Sequence, residues 1–459
     1  MKRNFQELAS LVFLGLILFG CTGTYPADRV KESISEICRK EYGIEKIDVK
    51  ISGATIGVFL PIKKLFVADF KEILAKKDGK LADMENLFQP APEALDQVED
   101  VLFSISRVLL STDLKLQFYV LQATDVEKTG LQLVLSGYVE DIKRVRLWDI
   151  SRDEYRKRIL HDLRLNRAVI WQRPIQSLFQ ALGGKAPSLE TVQPYFAQPI
   201  SPEMFQTLFF LNPQVPGNKL ARWHLGELRS APLEQNRVMV YVPVILDYDP
   251  QTVAPGAFRI PPGTAFESIY ILSFDKEIPK IIRAIPLSYL DTAGQLQKVP
   301  IPADLNIEND LATWETEFPL AEIHLGDFLA EQLMRRTQNL LFADERVQNT
   351  FENIQLAFRY QKEQKLKNYF SLDLDVKLKT PTPFAPTPTA LQEDVLYLLN
   401  MVSREFVEVL RSYKFSDYEF LRLNLVSDPV PHVLGRDDLE LFRRNKIDLQ
   451  GILTGIAPF

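Results

Sequence analysis

Hydrophobic positions along the chain recur with two periods, and the switch between them sets out the elements. Val30, Ile34, Ile37 and Cys38 fall at i, i+4, i+7 and i+8, which predicts a helix over 28–42 with one apolar face. Ile47, Val49 and Ile51 then alternate with polar neighbours as a strand. A turn at Ser52-Gly53 leads to a second strand over 55–60 that Pro61 should stop. A charged connector broken at Gly79 precedes a helix over 93–110, with Leu95, Val98, Leu102, Ile105 and Leu109 as its stripe. Strands follow at Leu114, Leu116, Phe118 and Val120 and, past a turn at Gly130, at Leu131, Leu133 and Leu135. A charged helix over 151–165 closes this stretch.

The last third returns a similar order. A helix over 321–346 precedes alternation at Ile354, Leu356, Phe358 and Tyr360, then at Phe370, Leu372, Leu374 and Val376. A connector holding Pro381, Pro383, Pro386 and Pro388 leads to a helix with Leu391, Val395, Leu398, Val402, Phe406 and Val409 on one face, and to a strand at Leu421, Leu423 and Leu425. Segments 113–125 and 417–428 both run from an Asp through alternating apolar residues to a Ser/Thr-Asp pair. Ser151-Arg152-Asp153-Glu154 has its counterpart in Gly435-Arg436-Asp437-Asp438. An internal duplication explains this order; so does the common habit of α+β domains to cover one face of an antiparallel sheet with helices.

Between these stretches, 167–319 is rich in Pro, with one helical stretch over 201–211, strands over 238–246, 267–274 and 280–290, and an irregular loop over 250–262. Pro279 and Pro286 assign their strand to an edge or a bulge. The expected fold is α+β: two similar helix-on-antiparallel-sheet units, 28–166 and 320–459, flanking a β-rich, Pro-rich middle domain with a helical connector, 167–319.

A length of 459 residues fits two to four domains. Hydrophobic residues at 46% and charged residues at 25% exclude a mostly disordered chain. Lys and Arg number 54 against 60 Asp and Glu, a net charge of −6, so no global basic field points to nucleic acid. Two Cys cannot form a disulfide framework.

The amino terminus changes the picture most. Lys2 and Arg3 precede a twelve-residue apolar run, 8–19, too short to cross a hydrocarbon core of about 30 Å as a helix. The run ends Leu18-Phe19-Gly20-Cys21. This segment resembles the bacterial lipoprotein signal. The resemblance implies a diacylglycerol on the Cys21 thiol, removal of residues 1–20, acylation of the new amino terminus, and a lipid-anchored tether over 21–27. Loss of Lys2, Arg3 and Glu7 takes the net charge from −6 to −7, so lipid and not charge would hold the body to an anionic membrane. Thr22 after the Cys, where an Asp would retain such a lipoprotein at the inner membrane of some bacteria, implies the periplasmic face of an outer membrane.

Chemical motifs are sparse. The chain has no phosphate-binding Gly-rich loop with Lys and Ser/Thr, no His-Glu-x-x-His and no Gly-x-Ser-x-Gly. Of four His, His161, His224, His324 and His432, two share a pattern, His224-Leu225-Gly226-Glu227 and His324-Leu325-Gly326-Asp327, whose acid would co-ligate a metal if each segment were helical. The internal Gly argues instead for helix starts or turns. Asp373/Asp375 and Asp437/Asp438 are candidate acid–base pairs, and the first is read as a solvated sheet face because Leu372, Leu374 and Val376 take the opposite face. Segment 143–167 holds nine basic and four acidic residues beside Trp148, Tyr155 and Trp171. It suits lipid headgroups, or an exposed salt-bridged helix. Cys38, in an apolar stripe, is expected to be buried and inert. The only assigned site is Cys21, for lipid, with no catalytic, metal or cofactor residue. The expected role is a lipid-anchored, non-enzymatic envelope module binding an unknown envelope protein or ligand; the alternatives are a solute-binding lipoprotein of a transport system and, third, an envelope hydrolase.

Overall fold

The structure is a computed structural model that describes residues 25–67, 90–127, 129–183, 187–209, 220–249, 261–274, 279–291, 295–305, 311–362, 368–379, 393–426 and 430–453. Residues 1–24, the connector around Gly79, the loop 250–260, the Pro381–Pro388 connector and Asp428 lie outside these. The described chain mixes helices with several antiparallel sheets.

Helix α1 (Val30–Tyr42) buries Val30, Ile34, Ile37 and Cys38, as its stripe predicts. Strands β1 (Asp48–Ser52) and β2 (Thr55–Ile62) follow, and β2 continues through Pro61. With a two-residue turn between them, the five residues of β1 are used up before Pro61, whose missing N–H therefore costs no bond to β1. Helix α2 (Pro92–Leu109) buries Ala94, Val98, Val101, Ser104, Ile105 and Val108, while Leu95 is 41% exposed. The buried face is turned from the expected stripe because it includes small residues, Ala94 and Ser104, that an apolar count passes over.

Strands β3 (Phe118–Asp125) and β4 (Leu131–Tyr138), helices α3 (Val139–Arg146) and α4 (Arg152–Arg158), and strand β5 (Leu160–Leu165) complete this stretch. The helix expected over 151–165 is thus a short helix followed by a strand. Ser151 Oγ caps α4 by accepting the Glu154 N–H at 3.0 Å, and beyond Arg158 the apolar residues Leu163 and Leu165 recur every second residue, a strand period. The sheet runs β1-β2-β3-β4-β5. All eight residues of β3 are buried. It is a strand covered on both faces, and Leu114 and Leu116 precede it.

The middle begins with helix α5 (Arg167–Leu182), which the sequence reading missed because Pro174 sits inside it. Packing outweighs the lost hydrogen bond: Ile175, Leu178, Phe179 and Leu182 share one core with Val238, Val240, Val242, Val244 and Phe266. Helices α6 (Leu189–Val192) and α7 (Pro202–Phe209) follow, then strands β6 (Leu220–Leu225), β7 (Arg229–Leu233), β8 (Arg237–Tyr248), β9 (Ala265–Ser273), β10 (Lys280–Pro286), β11 (Ser288–Leu290), β12 (Leu296–Lys298) and β13 (Glu315–Thr316). Six of them form an antiparallel sheet, β10-β9-β8-β7-β13, with β6 also on β8. Strand β10 is an edge strand, as expected from Pro279 before it and Pro286 at its end, and has a register shift between Ile281 and Arg283. Met239, Ile269 and Ile271 on the other face pack with Ile285, Leu287 and Trp314. Pro243 stands in β8 where the partner strand changes: pairing with β7 reaches Tyr241, opposite Arg229, and pairing with β6 starts at Val244, opposite Leu225.

Helix α8 (Leu325–Ala343) stops at Asp344, whose Oδ1 caps α9 (Glu345–Thr350) by accepting the Val347 N–H at 2.9 Å, so the helix expected over 321–346 is two. Strands β14 (Phe351–Gln361) and β15 (Tyr369–Leu378), helix α10 (Glu393–Ser412), strands β16 (Phe420–Leu425) and β17 (His432–Gly435), and helices α11 (Arg436–Arg443) and α12 (Leu449–Leu453) finish the chain. The sheet order is β14-β15-β16-β17. Its hairpins are antiparallel, but β15 and β16 pair in parallel, Phe370 opposite Leu421, because a crossover through α10 brings the chain back in the same direction. Phe406 of α10 packs at 5.4 Å on Phe370 and at 6.3 Å on Phe358.

The described residues divide into two compact units: one of residues up to 52, 56–136 and 161–321, the other of 53–55, 137–160 and from 322 onward. In the first, a polar staple fixes the strap after β13. The Glu317 carbonyl accepts hydrogen bonds from Gln122 Nε2 at 2.9 Å and Asn166 Nδ2 at 2.6 Å, and Phe318 stacks on Phe59 at 5.7 Å.

Candidate ligand cleft

The second unit carries a cleft of about 570 Å³ where α3 and α10 end. Tyr138, Leu147, Leu325, Tyr413 and Phe415 supply apolar wall, and Glu140, Arg144, Asp149, Lys414 and Asp417 supply charge. The rings of Tyr138 and Tyr413 lie 5.9 Å apart, and Phe328 meets Tyr413 edge-on at 6.2 Å.

Both helices close in the same way. Beyond α3, Leu147 caps, Trp148 takes φ 62°, and the Asp149 N–H returns to the Arg144 carbonyl at 2.8 Å. Beyond α10, Lys414 takes φ 54° and the Phe415 N–H returns to the Leu410 carbonyl at 2.9 Å. This 6→1 closure satisfies carbonyls that a helix end leaves open. Arg144 fastens the two ends together: Nη1 donates to the Ser412 carbonyl at 2.8 Å and Nε donates to Asp149 Oδ2 at 2.6 Å. That hydrogen bond and charge hold the Asp149 carboxyl below the usual range.

Beneath the cleft lies a buried charge network. Arg158 Nη1 donates to Asp141 Oδ1 at 2.8 Å and Nε donates to Glu154 Oε1 at 2.8 Å; the same Glu154 oxygen accepts Arg336 Nη2 at 2.7 Å. The Arg158 guanidinium stands 4.6 Å from the Tyr413 ring centroid, and its backbone carbonyl accepts from Gln332 Nε2. Burial pushes the Asp141 carboxyl up against the pull of Arg158 and Arg144. Burial also opposes the charge on Glu154, but Arg336 and Arg158 outweigh it and hold that carboxyl below its ordinary range. These charges are spent on one another, so the network positions the wall of the cleft, and the wall itself can hold a ligand with an apolar body and polar ends.

The sequence-predicted residues scatter. Cys21 lies outside the described residues. Cys38 is buried between α1 and α2, and burial pushes its thiol up. His224 is exposed on β6, while His324 precedes α8 as its N-cap residue, so their shared pattern serves two different backbones. Gly226 and Gly326 answer to packing: a Cβ would meet Pro243 Cγ at 2.8 Å in one and Tyr360 Cδ1 at 2.2 Å in the other. Asp373, paired with Arg359 at 2.8 Å, faces away from buried Leu372 and Leu374, and Asp437 and Asp438 sit in the first turn of α11. Among the described residues, no group of three or more His, Cys, Asp and Glu side chains is placed to hold a metal ion, and no helix is long and apolar enough to cross a membrane.

The sequence reading missed the Asp141–Arg158 pair and the cleft. One signal was present: Asp141, beside Ile142 and four residues before Val145, falls on the apolar side of α3, where a carboxylate needs a buried partner. No family model, curated protein or solved structure matches this chain.

Proposed function

We propose that the chain is a lipid-anchored protein of the cell envelope, held to membrane lipid through acylated Cys21, that acts as a non-enzymatic binding or assembly module. The observation that carries the reading is the amino-terminal run ending Leu18-Phe19-Gly20-Cys21. The cleft supports a binding role, since Arg144 and Asp149 are paired with each other while Tyr138, Tyr413 and Phe415 leave aromatic wall beside Lys414, which is in no ion pair among the described residues.

We further read residues 28–166 and 320–459 as two copies of one α+β unit flanking the middle, 167–319. Supporting this, helix, hairpin, helix, hairpin and two short helices follow one another in both, with strands ordered β1-β2-β3-β4 and β14-β15-β16-β17, although α9 intervenes before the first hairpin of the second and β5 extends the sheet of the first. On this reading the counterpart of Ser151 shifts from Gly435 to Asp448. Gly435 precedes the helix directly after β17, a place held by Tyr138 after β4, while the capping Ser151 corresponds to Asp448, whose Oδ1 accepts the Gly451 N–H at 2.6 Å. Two like units on one tethered chain suit a bivalent binder.

The size of the cleft favours one other reading, a solute-binding lipoprotein, since about 570 Å³ lies within the range of small-molecule sites. Metabolic labelling with a fatty-acid analogue and intact-mass analysis of the mature protein test the anchor. Lipid on Cys21 and its loss in Cys21→Ser are expected; a water-soluble product beginning elsewhere overturns it. A photocrosslinker at position 415 then separates the binding readings: an envelope-protein adduct supports assembly, and a small-molecule adduct supports solute binding.

A further inference from the structure

Trp148 is an outlier among residues in its position. Three described helix ends close with a residue of positive φ followed by a 6→1 hydrogen bond, Trp148 at 62°, Lys414 at 54° and Asn445 at 54°, and Gly43 at 70° ends α1, where the Ile44 N–H returns to the Cys38 carbonyl. Gly and Asn are the residues this conformation favours, and a bulky ring there is strained. The turn at Asn445 shows that the geometry asks for no aromatic: Arg444 caps α11 with φ −80° and ψ 7°, as Leu147 caps α3 with φ −85° and ψ 4°, and its neighbours are Arg444 and Lys446. At the α3 turn the two successive side chains are instead Leu147 and Trp148, 77% and 85% exposed. A strained backbone that holds two large apolar side chains in water returns nothing to local stability.

Charge around the turn selects what covers it. Arg146, Arg152 and Lys414 are exposed and make no ion pair among the described residues, although Lys414 attracts Asp149; of the acids nearby, Asp149 is engaged by Arg144, Glu140 by Lys143 at 3.2 Å and Asp153 by Arg156 at 3.8 Å, and Asp417 accepts hydrogen bonds from Tyr360 and Asn368. Arg146 and Arg152 lie within four residues of Trp148 in sequence, and Lys414 lines the same cleft as Leu147. A chain with net charge −6 therefore carries free positive charge around its most exposed Trp. A protruding Leu-Trp pair inserts; it is not shaped to receive. Trp is favoured at the membrane–water interface, where anionic headgroups attract flanking Lys and Arg.

We propose that the Leu147–Trp148 turn is a second membrane contact that seats in the headgroup region of an anionic phospholipid bilayer. It rests on the lipid-anchor reading only in that the anchor keeps a bilayer within reach.

The full chain, purified from its host in detergent and reconstituted with vesicles of phosphatidylglycerol and phosphatidylcholine, gives the test. Brominated acyl chains quench only tryptophans within the bilayer, and the chain has four Trp. Emission from Trp148 is the difference between wild type and Trp148→Phe. The expected result is quenching of that difference emission, weakened in pure phosphatidylcholine and in Leu147→Ser. Trp148→Asn, which copies Asn445, should fold with unchanged circular dichroism and lose the contact. A lipidated, vesicle-bound chain whose Trp148 stays unquenched overturns the proposal and leaves the anchor standing. An unlipidated chain whose Trp148 is quenched on anionic vesicles overturns the anchor and leaves the proposal standing. A protein partner covering the turn would appear as unquenched emission, and counts against it.

Discussion

Arg158 donates to the Asp141 carboxylate at 2.8 Å with both side chains withdrawn from water, 3% and 1% exposed. Burial of one ion without the other is the costly state, because desolvation is then uncompensated. Arg158→Met should therefore destabilise the protein by about 3–5 kcal/mol, and adding Asp141→Leu should recover a large part of the loss. A double-mutant cycle from denaturant midpoints reads both. Equal, additive losses would mean that the pair is not coupled.

This pair also shows where the sequence stopped being legible. Helix α1 was readable because its buried face, Val30 through Cys38, is apolar and periodic. Helix α5 was not, since Pro174 argues against it and only its packing under β8 decides otherwise. The boundary between α4 and β5 was lost in a segment whose charges fit either element until Ser151 and Ile159 fixed the ends. The cleft was out of reach: Tyr138 and Tyr413 make one wall from opposite ends of the chain, and no local period relates them.

Glu317 sets a pH dependence. Burial pushes its carboxyl up, against Gln176 and Lys50, so the folded state holds its proton to higher pH than the unfolded chain does. Its contribution is full below the unfolded value, about 4.3, and is lost as pH rises through the raised folded value. Glu317→Gln should flatten that decline and leave the variant more stable than wild type at neutral pH. Urea midpoints across the acid-to-neutral range decide it, and a gap that does not change with pH counts against the assignment.

Gly326 tests packing against propensity. Ala is the better helix former by about 1 kcal/mol, so Gly326→Ala should stabilise α8 if only the backbone mattered. A Cβ there would lie 2.2 Å from the Tyr360 ring, and Tyr360 is held by its hydroxyl, which donates to Asp417 Oδ2 at 2.9 Å. Overpacking of about 1–3 kcal/mol should win, giving a lower melting temperature. A raised one would show that Tyr360 moves aside freely.

Cys38 and Cys21 can be separated by counting thiols. Cys38 has no exposed surface between α1 and α2, and burial pushes its thiol up, so a thiol reagent should react with the native protein only as fast as the helices open. Denaturant well below the unfolding midpoint should speed that reaction. In full denaturant, Cys38 must react, and Cys21 can react only if its sulfur carries no lipid. Since the chain has two Cys, protein isolated from its host should titrate as no rapidly reacting thiol when native and one when unfolded. Two in denaturant would remove the thioether that the anchor requires, while one reacting at once in the native state would mean that the apolar stripe of α1 does not shield its sulfur.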